Sequence, residues 1–267
     1  MKTYDLVFGI GGACCCTQAL RNAGLQYVSF PWDWVAESDI RTRIDQVRND
    51  FADWVRKESL VRVENADYKA GVIYRNERTR VVLPHDFPPR GDFETDHPRV
   101  AARYRRRYER LSRLIGKSGR VLVVWVDVPA CPRATDDDRR YVLKTLHAKW
   151  PNAAFDLLSF ANEEGRFVNS RLETVSGPVR TVAFDYRDYK ETETWIADNR
   201  LLGRWLKREY RVPDYRTREE IRAWRRLARE KEYGRYGASN FIAYLVTKLQ
   251  YKVYVHFMHR LKRKGVI

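Results

Sequence analysis

The sequence predicts an α/β or α+β protein that ends in a helical C-terminal extension. Short apolar runs rich in valine and aromatic residues alternate with longer stretches of helical periodicity, which is typical of packed strands and helices. The alternation stops near residue 190, and no convincing strand follows it. Since a chain of 267 residues with 44% hydrophobic residues can build a large core, we expect an α/β domain over residues 1–190 and a basic helical extension over residues 191–267.

Six apolar runs bounded by turn-forming residues predict strands. In chain order they are Tyr4–Gly9, Ala70–Tyr74, Arg80–Leu83, Val121–Val128, Ala154–Phe160 and Val179–Phe184. Apolar residues at intervals of three and four predict helices. The helices lie over Cys14–Ala23, Asp39–Lys57, Pro98–Ile115 and Asp136–Lys149, and in the extension near Glu193–Glu209, Thr217–Tyr233 and Ala238–Arg263. The apolar stripe of the second helix, which begins at Ile40 and Ile44, is typical of a face packed in the core.

The chain carries 51 basic and 35 acidic residues, and the surplus concentrates in residues 99–120 and after residue 191. The formal net charge of +16 favours an anionic partner such as nucleic acid, phospholipid or phosphorylated sugar, although a solvated basic surface gives the same composition. Nucleic acid is disfavoured because no helix-turn-helix, zinc-finger or RNA-recognition pattern accompanies the charge. An anionic lipid or glycan is therefore the candidate partner.

Two helices carry this charge in a pattern. Five arginines of the helix near residues 98–115 recur at intervals of three or four and predict an anion-binding stripe, although they could equally pair with acidic residues such as Asp136–Asp138. These arginines are Arg99, Arg103, Arg106, Arg110 and Arg113. The final helix is amphipathic with a basic end, and lysines interrupt its apolar run, which argues against a transmembrane span. We prefer docking of its apolar face onto the core to the alternative of binding an anionic bilayer.

The cysteines are spaced unlike those of a disulfide framework or a zinc site. Three are consecutive, Cys14–Cys16, and Cys131 stands alone. We therefore expect reduced thiols, no metal site and a cytoplasmic protein. The first residues also lack the basic start and apolar run of a signal peptide.

A glycine-rich turn, Gly9–Ala13, joins the first predicted strand to the helix that begins at Cys14. Because unpaired N–H groups and the helix dipole at such a position lower a thiol pKa, we expect at least one of the three cysteines to be reactive. Burial as small hydrophobic side chains is the alternative. A dinucleotide site is disfavoured because the third glycine of its motif would fall at position 14, so no cofactor is predicted.

A reactive cysteine needs a base, and His85 is the best placed of the five histidines because it lies at the end of a predicted strand. A structural hydrogen bond is the alternative role of His85. Three carboxylates compete to orient the imidazole: Asp127 at a strand end, Asp86 beside His85, and Asp33 between two tryptophans. On an extended strand Asp86 and His85 point to opposite faces, and Asp33 also suits a helix cap or a buried hydrogen bond.

Several segments together resemble a bacterial family of proteins described as papain-like cysteine peptidases. The resemblance covers residues 4–190 and implies a papain-like core with Cys14 as the nucleophile and His85 as the base. It also places an arginine-rich helix and a valine-rich strand after the histidine. The segments are Gly11-Gly12-Ala13-Cys14 with Gln18-Ala19-Leu20 and Gly24-Leu25, then Phe30-Pro31-Trp32-Asp33-Trp34, and then His85-Asp86-Phe87.

The chain departs from the family pattern at three positions. Gly12 replaces the usual serine and Trp32 the usual phenylalanine. The residue six before Cys14 is Phe8, where papain has an oxyanion glutamine a few residues before its cysteine. Oxyanion donors are therefore expected from the backbone N–H groups of the glycine turn or from Gln18.

The resemblance and the residues together predict a cysteine hydrolase of peptidase or acyl-transfer type. Its substrate would be a peptide or acyl compound bound through a Cys–His dyad or triad. The alternative is a transferase or accessory protein of polysaccharide biosynthesis. Such a protein would bind anionic sugar or lipid at the inner membrane face, which extends the expected location from the cytoplasm to a peripheral position on that membrane.

Overall fold

The fold is given by a computed structural model, which describes residues 1–63, 72–88, 90–128, 131–162, 168–174, 177–184, 199–223 and 226. The chain divides into two compact units, Met1–Tyr215 and Arg216–Ile267. The predicted helix Ala238–Arg263 lies outside the described residues. Most of the predicted helix Thr217–Tyr233 does so too, although its start is described: Thr217 and Glu220 exchange two side-chain bonds with each other's backbone N–H groups.

Ten strands and five α-helices are described. The strands are β1 (Lys2–Thr3), β2 (Leu6–Gly9), β3 (Leu60–Val63), β4 (Val72–Asn76), β5 (Val82–Phe87), β6 (Arg120–Val126), β7 (Ala154–Asn162), β8 (Val168–Thr174), β9 (Gly177–Phe184) and β10 (Tyr210–Arg211). The helices are α1 (Cys14–Asn22), α2 (Ile40–Asp45), α3 (Phe93–Ile115), α4 (Asp136–Lys149) and α5 (Asn199–Glu209).

The largest sheet has the strand order β2-β6-β7-β9-β8. Strands β2, β6, β7 and β9 run parallel, and β8 pairs antiparallel with β9 at one edge. Two smaller sheets accompany it: the antiparallel sheet β3-β4-β5 and the parallel pair β1-β10. The predicted α/β class is confirmed.

Both faces of the large sheet are covered by helices, as a buried parallel sheet requires. Residues of β6 alternate between two apolar clusters because side chains along a strand alternate between faces. Val121, Val123 and Trp125 pack in the cluster that contains residues of α2, α3 and α4. Leu122 and Val124 pack in the other cluster, which contains residues of α1 and α5.

The helix predicted over Asp39–Lys57 is the clearest error of the sequence analysis. Helix α2 ends at Asp45, and turns follow in which Asp50 and Phe51 have positive φ angles of 55° and 62°. The N–H of Phe51 bonds the carbonyl of Gln46 across this turn. The apolar stripe is nevertheless buried in the core, because Val47 and Phe51 reach it from turns as well as they would from a helix.

Other elements differ in their limits. Helix α3 begins at Phe93, five residues before the predicted start, because Asp92 caps it there. Pro98, the predicted first residue, lies inside the helix. Strands β1, β3, β8 and β10 were not predicted. Strand β10 contradicts the expectation that no strand follows residue 190, which failed because two residues paired with β1 are too few to form an apolar run. Helix α5 packs against α1 within the first compact unit, and the division of the chain at residue 190 stays a prediction. No helix among the described residues is long and apolar enough to cross a bilayer.

The turn between β2 and α1 has no room for a side chain at Gly11, and this yields a test of the fold. A Cβ there would lie 2.5 Å from the Cβ of Cys16 and 3.1 Å from the N of Val126. We predict that Gly11→Ala lowers the free energy of unfolding by about 1–3 kcal/mol through overpacking, measured by urea denaturation.

Gly203 of α5 provides the matched control, since its Cβ would meet Asn22 at an ordinary 3.4 Å. Gly203→Ala should leave stability unchanged or raise it by up to about 1 kcal/mol, as expected for alanine in a helix. Equal unfolding midpoints for the two variants would contradict the close approach at Gly11.

Candidate active site

The glycine turn lies against the carboxyl end of β6. The N–H of Ile10 donates to the carbonyl of Val124 at 2.9 Å, and the N–H of Gly12 donates to that of Val126 at 3.3 Å. A Cβ at Gly12 would meet Val128 Cγ2 at 2.7 Å. Close packing therefore places the start of α1, and with it Cys14, at the end of the parallel sheet, where ligands of α/β proteins commonly bind.

Helix α1 begins without a cap. Ala13 stands at the N-cap with extended backbone and no side-chain bond, and the first turn holds no acidic residue. Ala13 thus gives the first N–H groups no capping side chain, although the N–H of Cys16 donates to the carbonyl of Ala13 at 3.3 Å, and the helix dipole makes this end positive. Cys14 is half-buried at this end, whereas Cys15, Cys16 and Cys131 are buried. All four cysteines are free thiols.

Burial raises the pKa of every one of these thiols. It raises the pKa of Cys14 to about 11 and that of Cys15 to about 12, against an ordinary value of 9.0. The nearby charge of Arg43 lowers the pKa of Cys14, but it does not outweigh desolvation and the opposing charges of Asp33 and Asp86. The low thiol pKa expected from the helix start is therefore wrong, since loss of water dominates.

Arg43 of α2 is the residue at this site that the sequence analysis missed. Its side chain is 0% exposed. The guanidinium donates from Nη1 to the carbonyl of Gly11, from Nη2 to that of Gly12 at 2.9 Å, and from Nε to that of Glu37 at 3.1 Å. A signal did exist: Arg43 falls between Ile40, Ile44 and Val47 in the apolar stripe, where a charge needs a buried partner.

A second buried charge lies beneath α1. Asp33 is 0% exposed and accepts hydrogen bonds from Thr17 Oγ1 at 2.7 Å, Gln26 Nε2 at 2.5 Å and the N–H of Phe30 at 2.8 Å. Burial raises its pKa to about 6, although these hydrogen bonds and the charges of Arg21 and Arg107 pull the other way. Asp33 therefore positions α1 through Thr17.

The loop between Asp33 and α2 is strained. Trp34, Glu37 and Ser38 have φ angles of 67°, 57° and 67°, which residues other than glycine rarely adopt. The loop is held by Arg43 at Glu37 and by a two-way backbone bond between Ala36 and Val82 of β5. It therefore links the glycine turn to the strand that carries His85.

His85 is exposed on an irregular part of β5. Tyr74 lies opposite Leu83 and Val72 opposite Phe87, so three residues of β5 face one residue of β4. Bulges of this kind often redirect side chains beside active sites. The described contacts include no hydrogen bond between Cys14 and His85, and the role of His85 as a base stays a prediction.

Asp86 points into the protein, away from its neighbour His85. Its carboxylate bonds Arg103 Nη1 at 2.6 Å and the hydroxyl of Tyr104 at 2.8 Å. Asp127 accepts from Trp125 Nε1 at 2.5 Å and from the N–H of Ala134 at 3.3 Å, and its Oδ2 is buried without a partner. Burial raises the pKa of Asp127.

Three members of the predicted arginine stripe are bonded within the chain, and Arg99 among them is nevertheless exposed. Arg99 bonds Asp96, Arg103 bonds Asp86, and Arg110 bonds the carbonyl of Ser29. Arg106 and Arg113 are exposed.

Two further side chains bear on the predicted anion-binding stripe and on the predicted oxyanion donor. Arg107, outside the predicted stripe, reaches the carbonyl of Asp33 at 3.4 Å. Gln18 donates to Asn22 Oδ1 along α1 at 2.9 Å. Among the described residues, no group of three or more His, Cys, Asp or Glu is placed to hold a metal ion.

Residues 5–149, more than half of the chain, match the model of the family described as "Putative papain-like cysteine peptidase (DUF1796)". Comparison with curated proteins and with solved structures finds no match. The resemblance to this family is confirmed over residues 5–149, while its predicted extent to residue 190, the bacterial origin and the individual motifs stay predictions. The family description names no residues, so the individual catalytic roles stay predictions.

The raised thiol pKa predicts slow alkylation of Cys14 at neutral pH. In folded protein, iodoacetamide should modify Cys14 before the three buried cysteines, and the rate should still be rising at about pH 10, because the pKa of Cys14 is about 11. Peptide mass spectrometry resolves the adjacent cysteines. A plateau reached below the ordinary thiol pKa of 9.0 would show that burial does not control this thiol.

The raised pKa of Asp33 predicts a specific dependence of stability on pH. A carboxyl whose pKa is higher in the folded than in the unfolded state makes its stabilising contribution at low pH and loses it as pH rises. The free energy of unfolding of wild type should therefore fall relative to that of Asp33→Asn between pH 3.8 and about 6.

Asp50→Asn is the control for this measurement. Bonds from Lys149 and Tyr108 lower the pKa of Asp50, so wild type should not lose stability relative to Asp50→Asn as pH rises through that window. Chemical denaturation at several pH values gives both differences. A flat difference for Asp33→Asn would contradict the raised pKa.

Proposed function

We propose, since the chain belongs to this family of papain-like cysteine peptidases, that it is a cysteine hydrolase or acyltransferase with Cys14 as the nucleophile. The observation that carries the proposal is the position of Cys14. Of the four cysteines, it alone is not fully buried, and it stands at the uncapped start of α1 beside a buried guanidinium. That is where a sulfur can meet a substrate, and where the helix start and Arg43 act in favour of negative charge, against desolvation.

The proposed reaction forms and hydrolyses a thioester. Sγ of Cys14 attacks the substrate carbonyl carbon while its proton passes to a base, and the carbonyl oxygen becomes an oxyanion. The intermediate collapses with cleavage of the bond to the leaving group, which takes the proton from the base. Water then attacks the acyl-enzyme, with the base accepting its proton, and releases the acid and the free thiol.

Backbone N–H groups at the start of α1 are the proposed oxyanion donors. Ala13 provides no capping side chain and the first turn holds no acid, so these groups face no competing carboxylate. Gln18, whose amide already donates to Asn22, is the less favoured donor. Preorganised donors of this kind typically contribute about 10²–10³ in rate each.

His85 is the proposed base. It is exposed on the bulge of β5, and the strained loop and the Ala36–Val82 bridge connect this strand to the glycine turn. The charge of Asp86, its neighbour, acts on Cys14, which supports proximity of the strand to the thiol, although Asp86 and His85 point in different directions from that strand. Because Asp86 is committed to Arg103 and Tyr104, we propose a Cys–His dyad, with Asp33 holding α1 in place.

The pairing of the arginines disfavours the alternative of a protein that binds anionic sugar or lipid. Three of the five stripe members are already bonded to groups of this chain: Arg99, Arg103 and Arg110. The uncapped start of α1 and the partly exposed thiol of Cys14 instead favour a reaction at the sulfur.

The test uses p-nitrophenyl acetate as an acyl donor. Wild type should release a burst of p-nitrophenol stoichiometric with enzyme and carry the acetyl group on Cys14, detected by mass spectrometry. Cys14→Ala should abolish the burst. His85→Asn should slow acylation by about 10²–10⁴, the usual contribution of a general base.

His147→Asn, at an exposed histidine of α4, is the matched control and should behave as wild type. Circular dichroism confirms that each variant is folded. A burst that survives in Cys14→Ala, or acetyl groups found elsewhere, would overturn Cys14 as the nucleophile. Equal rates for the two histidine variants would remove His85 from the mechanism while leaving Cys14.

A further inference from the structure

Arg43 carries a positive charge that no carboxylate in its hydrogen-bond set balances. Its side chain is wholly buried, and its acceptors are the backbone carbonyls of Gly11, Gly12 and Glu37. Burying a charge is expensive unless it is paired, and removal from water lowers the pKa of Arg43. A charge retained at such a cost calls for an anion nearby.

The thiols lie around the carbonyls that Arg43 bonds. Gly11 and Gly12 come just before the three consecutive cysteines, and Cys131 Sγ donates to the same Gly12 carbonyl at 3.6 Å. Cys131, Cys16, Cys14 and Cys15 all interact electrostatically with the guanidinium. Of these, Cys14 is the one that a substrate can reach, since the others are buried. The anion that complements Arg43 is therefore one formed at Cys14 during reaction: the thiolate or the oxyanion that follows from it.

Arg43 also fixes the backbone that carries the thiol. The carbonyl of Gly11 accepts from Arg43, and the N–H of the same peptide unit, that of Gly12, donates to Val126. Because the C=O and N–H of a planar trans peptide point in opposite directions, this unit is held between α2 and β6. The carbonyl of Gly12 is bonded by the same guanidinium.

We propose that Arg43 is the positioning residue of the Cys14 site: its buried charge favours anions at Cys14, and its bonds to Gly11 and Gly12 hold the turn that presents the thiol. The inference rests on the proposed function. Two carboxylates oppose the charge at Cys14, Asp33 from beneath α1 and Asp86 from β5. Around Cys131 the acidic neighbours are Glu37, Asp39 and Asp127.

The test compares Arg43→Gln with Arg43→Lys. Both side chains can donate to carbonyls, but only lysine keeps the charge. Iodoacetamide alkylation of Cys14 is followed against pH by mass spectrometry in folded protein. Arg43→Gln should slow alkylation at a fixed pH by about tenfold, equivalent to a thiol pKa raised by about one, whereas Arg43→Lys should stay within about twofold of wild type.

Arg139→Gln is the matched control, since Arg139 of α4 is also buried and donates hydrogen bonds to Ser159 and Asp136. It should leave the alkylation profile of Cys14 unchanged. A purely structural role of Arg43 would lower the stability of both Arg43 variants and shift neither profile. Equal profiles for Arg43→Gln and Arg43→Lys would therefore overturn the proposal.

A second measurement follows stability instead of alkylation. Cys14→Asp puts a carboxylate where the thiolate would form, and Cys14→Asn is the neutral comparison. Because desolvation opposes any anion at this site, Cys14→Asp should be the less stable of the two at neutral pH. Combining each with Arg43→Gln should widen this difference by about 1.4 kcal/mol, the equivalent of the tenfold change above, whereas an unchanged difference would overturn the proposal. Neither measurement depends on turnover. If wild type shows no acetyl burst but Arg43→Gln still shifts the alkylation profile of Cys14, the proposed function is rejected and the role of Arg43 stands.

Discussion

The arrangement around Cys14 depends on the buried carboxylate of Asp33. Three donors surround it: Thr17 from α1, Gln26 from the segment after α1, and the N–H of Phe30. Gln26 also accepts weakly from the N–H of Gly9 at the end of β2, and Arg107 of α3 reaches the Asp33 carbonyl. A buried carboxylate is tolerated only when its oxygens are bonded, so strand, helix and loop are each fixed by the same requirement.

Asp33 and Arg43 are opposite charges on elements that hold the glycine turn, and they do not pair with each other in the described contacts. Each is satisfied by neutral groups instead: Asp33 by hydroxyl, amide and backbone donors, Arg43 by carbonyls. A direct ion pair would cancel both fields. Because each charge is hydrogen-bonded separately, both act on Cys14: Arg43 favours its thiolate, and Asp33 opposes it.

Local patterns in the sequence were sufficient for the four parallel strands of the large sheet, for α1 and for the family, but not for the edge strand β8 or the strands β1, β3 and β10. The β6 strand and the glycine turn follow from apolar runs and glycines, which act over a few residues. The partners of buried charges could not be found in this way. Arg43 meets the carbonyls of Gly11 and Gly12 only because the fold brings separated segments together. A stripe of apolar spacing from Ile40 to Phe51 likewise does not say whether a helix or turns carry it.

The pKa of the Cys14 thiol was also beyond the sequence, because two effects of opposite sign act on it. The helix start and Arg43 favour the thiolate, and desolvation disfavours it; the magnitude of burial decides, and burial is a property of the whole fold. The result is a thiol that is neutral at rest, unlike a preformed thiolate–imidazolium pair. Such a site must remove the proton as the sulfur attacks. The uncapped helix start and Arg43 then act on charge that exists only after attack begins, and interactions stronger in the transition state than in the resting state are those that accelerate a reaction.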